Sequence, residues 1–133
     1  MDCPFCRYVN ADPPDYLVLW ENDLALAIKD RYPVSPGHTL IIPKRHVANF
    51  FDCNAAEQLA LLEGSRSVQK QLTDRSLHKG GKLPTGWNLG INVGKSAGQT
   101  VFHVHLHLIP RYNGDVDEPA GGVRSVIPKK QKY

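Results

Sequence analysis

Long apolar runs are missing from this chain of 133 residues. No stretch approaches the roughly 20 apolar residues of a membrane span. Cysteine is scarce: three residues, too few and odd in number, exclude a disulfide framework. The first residues, Met1-Asp2-Cys3-Pro4-Phe5-Cys6, lack the basic start and apolar stretch of a signal peptide, so a cytosolic location is expected. Neither sign of charge dominates: 16 Lys and Arg face 13 Asp and Glu, for a net +3. That balance slightly favours an anionic ligand and makes no case for nucleic acid. Internal repeats and a second domain are also missing. Residues 1–133 are expected to form a single domain with a real core, and 113–133 a polar C-terminal extension.

What is present is a row of histidines. In Thr100-Val101-Phe102-His103-Val104-His105-Leu106-His107-Leu108-Ile109-Pro110, three imidazoles stand at i, i+2 and i+4 with large apolar residues between them. Period two predicts one strand, with His103, His105 and His107 on one face about 7 Å apart and Val104, Leu106 and Leu108 in a core. Pro110 is expected to end it. A wet strand face would more often carry Thr, Lys, Glu and Ser. Two chemistries need three imidazoles there: a metal with several ligands from one strand, or a nucleophilic imidazole oriented by its neighbours.

The rest of the chain supplies context. Cys3-Pro4-Phe5-Cys6 reads as half of a metal site, because no strand precedes it as in a redox motif. Cys53 reads as a small buried hydrophobe. After a turn-rich stretch at 10–15, Tyr16–Trp20 and Leu24–Ile28 predict an antiparallel hairpin around Glu21-Asn22-Asp23. Asp30 lies just past it. A rigid loop with Pro33, Pro36 and Gly37 leads to a third strand, His38–Ile42, stopped by Pro43. Lys44-Arg45-His46 precedes a short helical turn over 47–51, and His46 alone reads as a surface histidine. Asn54 and Glu57 predict a capping box opening one long helix into the mid-seventies. Leu59, Leu62, Val68 and Leu72, broadened by Leu61, are expected as its core stripe. A loop at 79–84 precedes a strand over Trp87–Val93. Gly94–Thr100 is a tight connection whose small residues let backbone N–H groups approach a ligand. Ser125–Ile127 is expected as a short edge strand and 129–132 as a solvated end.

His103-Val104-His105-Leu106-His107-Leu108-Ile109 resembles the signature of the histidine triad (HIT) superfamily, His-φ-His-φ-His-φ-φ with φ apolar. Asn92–Thr100 is similar to that family's phosphate-binding approach. Pro36–His46 and the CxxC match it in order and spacing, so the resemblance runs from Cys3 to Tyr112. It implies an α+β fold: an antiparallel sheet of about five strands with one long helix, in a homodimer. It implies enzymes acting on a nucleotide α-phosphate: dinucleoside polyphosphate hydrolases, nucleoside phosphoramidases and nucleotidyl transferases. Carried over by position, His105 is the nucleophile, with His107 and Gln99 beside it in catalysis. Asp30 holds the ribose hydroxyls of a purine nucleotide, and Asn92, Gly98, Gln99, Thr100 and His107 lie on the phosphate side. Members with a CxxC bind structural zinc through residues matching Cys3, Cys6, His46 and His103.

Two departures sort the branches. Phosphoramidase members usually carry Gly-Gly-Gln-Ser where this chain has Ala97-Gly98-Gln99-Thr100, and end in Trp-Pro where it has Arg111-Tyr112 and a longer tail. Both favour the dinucleoside polyphosphate hydrolase type, although many of those lack a CxxC. The expected chemistry is attack by neutral His105 on the α-phosphorus, then hydrolysis of a nucleotidyl-histidine. His105 needs its other ring nitrogen held by an acceptor such as a backbone carbonyl. The rival readings are a metallohydrolase with all three histidines on a catalytic metal, and a nucleotide-binding module without catalysis.

Overall fold

The computed structural model describes residues 2–10, 17–75 and 80–133. The expected turn at 11–15, the strand start at Tyr16 and the loop start at Lys79 lie outside them. Five strands form one antiparallel sheet: β1 (Val18–Glu21), β2 (Ala25–Lys29), β3 (Thr39–Pro43), β4 (Gly86–Ile91) and β5 (Leu106–Arg111), in the order β1-β2-β3-β5-β4. Two helices cover it: α1 (Pro4–Asn10) and α2 (Ala55–Thr73).

The hairpin forms where turn chemistry asks for it. Asn22 Oδ1 accepts from the N–H groups of Leu24 and Ala25, both at 2.9 Å, closing the turn between β1 and β2. β2 then alternates between two cores. Ala25 and Ala27 face α2, while Leu26 and Ile28 face α1. In β3, Ile41 faces α2, and Leu40 and Ile42 face α1. With both faces covered, these strands read as unbroken apolar runs.

α2 opens on the capping box as expected: Asn54 Oδ1 accepts from Glu57 N–H at 2.8 Å, and Glu57 Oε1 from Asn54 N–H at 3.0 Å. Its buried stripe differs from the expected one. Ala60, Leu61, Gly64, Ser65 and Val68 are buried, whereas Leu59 and Leu62 are exposed. Leu59 and Val68 are nine residues apart, or about 180° around a helix, so both cannot face one core. Gly64 lets the helix press on the sheet: an added Cβ would lie 2.7 Å from Trp20 Cζ3 and 2.9 Å from Ile41 Cγ2.

Three further expectations are corrected. The histidine strand starts only at Leu106, so His103 and His105 precede it in an irregular segment tied by Val104 N–H to the Val47 carbonyl at 2.8 Å. Alternation survives there without a ladder, and Val104, Leu106 and Leu108 still fill the α2-side core. Pro110 does not end the strand but pairs with Trp87 inside it. Its carbonyl takes the Ser35 hydroxyl at 2.7 Å, on the side where β3 has run out, so its missing N–H interrupts no ladder. Ser125–Ile127 forms no strand. Gly121 and Gly122, both at positive φ, turn the chain into 3-10 turns at Gly122–Val126 and Pro128–Lys130. Gln131 closes this tail by donating to the carbonyls of Glu118 and Ala120 at 2.9 and 3.1 Å, while Lys129, Lys130 and Lys132 stay exposed, as expected of a solvated end.

Candidate active site and metal centre

Two sites share the histidine row, one on each side of His105. On the first, Cys3 and Cys6 at the start of α1 meet His46, from the segment after β3, and His103. Cys3 Sγ and Cys6 Sγ each lie 3.6 Å from His103 Nδ1, Cys6 Sγ lies 3.2 Å from His46 Nδ1, and the two Nδ1 atoms are 3.3 Å apart. Tetrahedral zinc, with bonds of about 2.3 Å to sulfur and about 2.0 Å to nitrogen, sets neighbouring donors about 3.3–3.8 Å apart. His103 is prepared to ligate: its Nε2–H donates to the Pro43 carbonyl at 2.7 Å, leaving a lone pair on Nδ1. Burial keeps it neutral by lowering its pKa. Arg45, next to His46 in the chain, makes a two-pronged pair with buried Glu57, Nε–Oε2 2.9 Å and Nη2–Oε1 2.8 Å. The donor set, two sulfurs and two imidazoles, fits a closed zinc site.

On the second side a cavity of about 640 Å³ opens against His105 and His107. His105 Nδ1–H donates to the carbonyl of His103 at 2.8 Å, so Nε2 carries the lone pair. The acceptor is the backbone carbonyl that the sequence could only suggest. The Phe5 ring stands 5.0 Å from the His105 ring and 5.9 Å from that of His103, so one α1 side chain touches both sites.

Next to His105, His107 belongs to a relay. His38 Nδ1 accepts from Val34 N–H at 3.1 Å, which places the His38 proton on Nε2. That Nε2 lies 2.9 Å from His107 Nδ1 and 3.3 Å from Asp30 Oδ2. His107 Nδ1 therefore accepts, and its Nε2 bears a proton to offer. Burial, with His105 and His38 nearby, lowers the His107 pKa to about 4. His38 is also lowered by burial, against the opposing pull of Asp30. Asp30 Oδ1 accepts from Tyr32 N–H at 2.8 Å, fixing the carboxylate beside the cavity that it lines.

The expected phosphate-side residues part company. Thr100 lines the cavity with Asp30, His105 and His107; Asn92, Gly98 and Gln99 do not. Gln99 is corrected most. It is buried, and its side chain is committed within the loop: Oε1 accepts from Gly94 N–H at 2.9 Å, and Nε2 donates to the carbonyls of Ala48 and Val101 at 2.8 and 3.1 Å. It shapes the loop rather than offering its amide to a phosphate. Gly98 sits there at φ +94, a left-handed turn that glycine accepts freely. Among the described residues, neither of the two clusters able to hold a metal contains all three triad histidines. His38 and Phe5 were missed as site residues. The signal for His38 was register: Lys29 pairs with Thr39, which brings Asp30 opposite His38.

A five-stranded antiparallel sheet with a long helix on one face and a histidine row at a cavity of about 640 Å³ defines a class. The HIT domain model matches residues 14–114, and the chain belongs to that family. An uncharacterized HIT-like protein of Saccharolobus solfataricus is 32% identical over 98% of this chain and 86% of its own. A zinc-bound histidine triad family protein from Mycobacterium smegmatis has a solved structure that matches with TM-score 0.66 and 39% identity, over 86% of this chain and 78% of that one. Adenylylsulfatase HINT3 of Arabidopsis thaliana is 35% identical over 86% of this chain and 54% of that protein. The family thus includes hydrolases and a zinc-bound member.

Proposed function

We propose that this protein hydrolyses a nucleotide conjugate at its α-phosphate, with a dinucleoside polyphosphate as the favoured substrate, through a nucleotidyl group on His105. The observation that carries the reading is the 2.8 Å bond from His105 Nδ1 to the His103 carbonyl, which leaves Nε2 unprotonated at the cavity. Nε2 forms the new bond to phosphorus as the bond to the leaving-group oxygen breaks. His107 Nε2–H, held in place by His38, donates to a phosphoryl oxygen or to that leaving group. Water then attacks phosphorus, releasing the nucleoside monophosphate and restoring neutral His105. Asp30 accepts from ribose hydroxyls, and Thr100 with the loop N–H groups faces the phosphate. A phosphoramidate or a transferred nucleotide would use the same residues, as would an adenylyl sulfate, the substrate type in the name of the Arabidopsis adenylylsulfatase.

Cys3, Cys6, His46 and His103 would hold zinc as a closed structural ion that ties α1 to the start of the histidine row. The chemistry it supplies is folding, because all four positions are taken by protein. Thiolate ligation suits a reducing compartment, in keeping with a cytosolic location. We further propose a homodimer, supported by exposed Leu59 and Leu62 on α2 and by Leu89 on the edge strand β4.

The test is turnover on a panel of diadenosine and diguanosine polyphosphates, nucleoside phosphoramidates and nucleotide sugars, each with and without chelator. Hydrolysis to a nucleoside monophosphate that persists in chelator supports the reading. Tight nucleotide binding with no turnover on any substrate would favour the binding module. Loss of turnover on chelation with the fold intact would favour the metallohydrolase.

A further inference from the structure

The loop from Asp30 to His38 carries both the carboxylate and the outer imidazole of the relay, and the strand that holds His107 also grips this loop. Ser35 Oγ donates to the Pro110 carbonyl at 2.7 Å, and the Tyr112 hydroxyl donates to the Pro36 carbonyl at 2.8 Å. Gly37 sits at φ +90, where an added Cβ would come within 3.1 Å of Pro110 Cγ, so the loop lies directly on the end of β5. Inside the loop, His38 N–H donates to the Ser35 carbonyl at 3.1 Å, and Val34 N–H donates to His38 Nδ1 at 3.1 Å.

These bonds bear on the direction of a proton relay. The 2.9 Å bond between His38 Nε2 and His107 Nδ1 can form in two ways. In one, His38 donates from Nε2, and His107 keeps its proton on Nε2. In the other, His107 donates from Nδ1, its Nε2 is bare, and the His38 proton sits on Nδ1. Each ring has one proton in both states, and burial keeps both rings neutral near pH 7. Val34 N–H decides between them, because a donor facing His38 Nδ1 excludes a proton there. Asp30 Oδ2, 3.3 Å from His38 Nε2, favours the same state until ribose hydroxyls draw on that carboxylate.

We propose that Ser35 and Tyr112 are positioning residues: by pinning the loop to β5 they hold Val34 N–H on His38 and so keep the His107 proton on Nε2. The proposal rests on the nucleotide reading above for what that proton does, which is to meet a phosphoryl oxygen or the leaving group. In a slack loop the relay reverses, and His107 presents a lone pair where a donor is needed.

The experiment is nitrogen-15 NMR of the imidazoles near neutral pH, without and with saturating AMP, on the full chain as the parent, Ser35→Ala, Tyr112→Phe and Ser35→Thr. Protonated and bare ring nitrogens resonate far apart, so the spectrum reads the His107 tautomer. The parent is expected to hold the proton on Nε2 in both conditions. Ser35→Ala and Tyr112→Phe should show a share of the Nδ1–H tautomer, largest with AMP. Ser35→Thr, which restores the hydroxyl, should return to the parent pattern. On the dinucleoside polyphosphate that the parent turns over best, the first two variants should lose about three- to tenfold in kcat with KM within about twofold, the effect of one neutral hydrogen bond. A Nδ1–H tautomer in the parent would overturn the proposal. So would parent-like tautomers or an unchanged kcat in both Ser35→Ala and Tyr112→Phe, even with a lowered unfolding temperature, which a merely structural role would give. A parent that hydrolyses nothing in the panel would remove the nucleotide reading, and the tautomers then decide the positioning.

Discussion

A proton's position on each imidazole decides what this site can do. His105, His38 and His103 each have one ring nitrogen tied to a backbone group, so each has its other nitrogen assigned. Asp30 completes the set. Removing its carboxylate in Asp30→Ala should weaken nucleoside monophosphate binding by about 1–3 kcal/mol, because charged acceptors make the stronger hydrogen bonds. Titration calorimetry that finds equal affinity in mutant and parent would refute the ribose role. His107 makes a pH prediction. Its folded pKa of about 4 lies below the ordinary imidazole value, so the unfolded chain takes up the proton first as pH falls. Its contribution to stability is complete near neutral pH, declines as pH drops below about 6.5 and is gone below about 4. Denaturant midpoints measured from pH 7.5 to pH 4 should therefore fall more steeply in the parent than in His107→Asn. Parallel slopes would contradict the assignment.

At the scale of elements, α2 reports how closely helix and sheet approach. Gly64 sits mid-helix, where alanine would ordinarily raise helix stability by about 1 kcal/mol. Here the methyl would meet the Trp20 ring at 2.7 Å, so Gly64→Ala should destabilise the protein by about 1–3 kcal/mol net, read in urea unfolding. A stabilised variant would show that β1 yields easily. Much of this layout was legible in the sequence. The capping box at Asn54 and the hairpin at Asn22 are local signals, and each formed as read; the CxxC, also local, brings its two thiols into a cluster able to hold a metal. The phase of the α2 stripe was not, because Leu59 and Leu62 are as apolar as Leu61 and only the contact with Trp20 and Ile41 selects a face. His38 was hidden for a similar reason: its meaning depends on pairing with Asp30 across the β2–β3 hairpin. Gln99 looked like a ligand donor because its type fits one, while its burial under the Gly94 turn is a tertiary fact.

Across the whole molecule, α1 couples the two sites. Cys3 just before it and Cys6 within it join the Cys–His cluster, its Phe5 ring rests on His105, and its Tyr8 lines the cavity. Metal analysis of protein prepared without chelators should find close to one zinc per chain, and Cys3→Ser should lower thermal stability more than it lowers single-turnover chemistry. A zinc content well under one would remove the structural-ion account. The outer face of α2 and the edge strand β4 leave Leu59, Leu62 and Leu89 exposed, and the tail is drawn in by Arg111, which bonds Asn88 and Asp115 at 2.8 Å.

The central claim is that His105 Nε2 attacks phosphorus, and rapid quench of the parent into alkaline denaturant during turnover, with peptide mapping kept at alkaline pH, tests it most directly. The account predicts an acid-labile nucleotidyl group located on His105 by peptide mapping, and its loss in His105→Ala, which still binds nucleoside monophosphate through Asp30, the loop and His107. Repeated quenching that finds no adduct, or substantial turnover by His105→Ala, would contradict it.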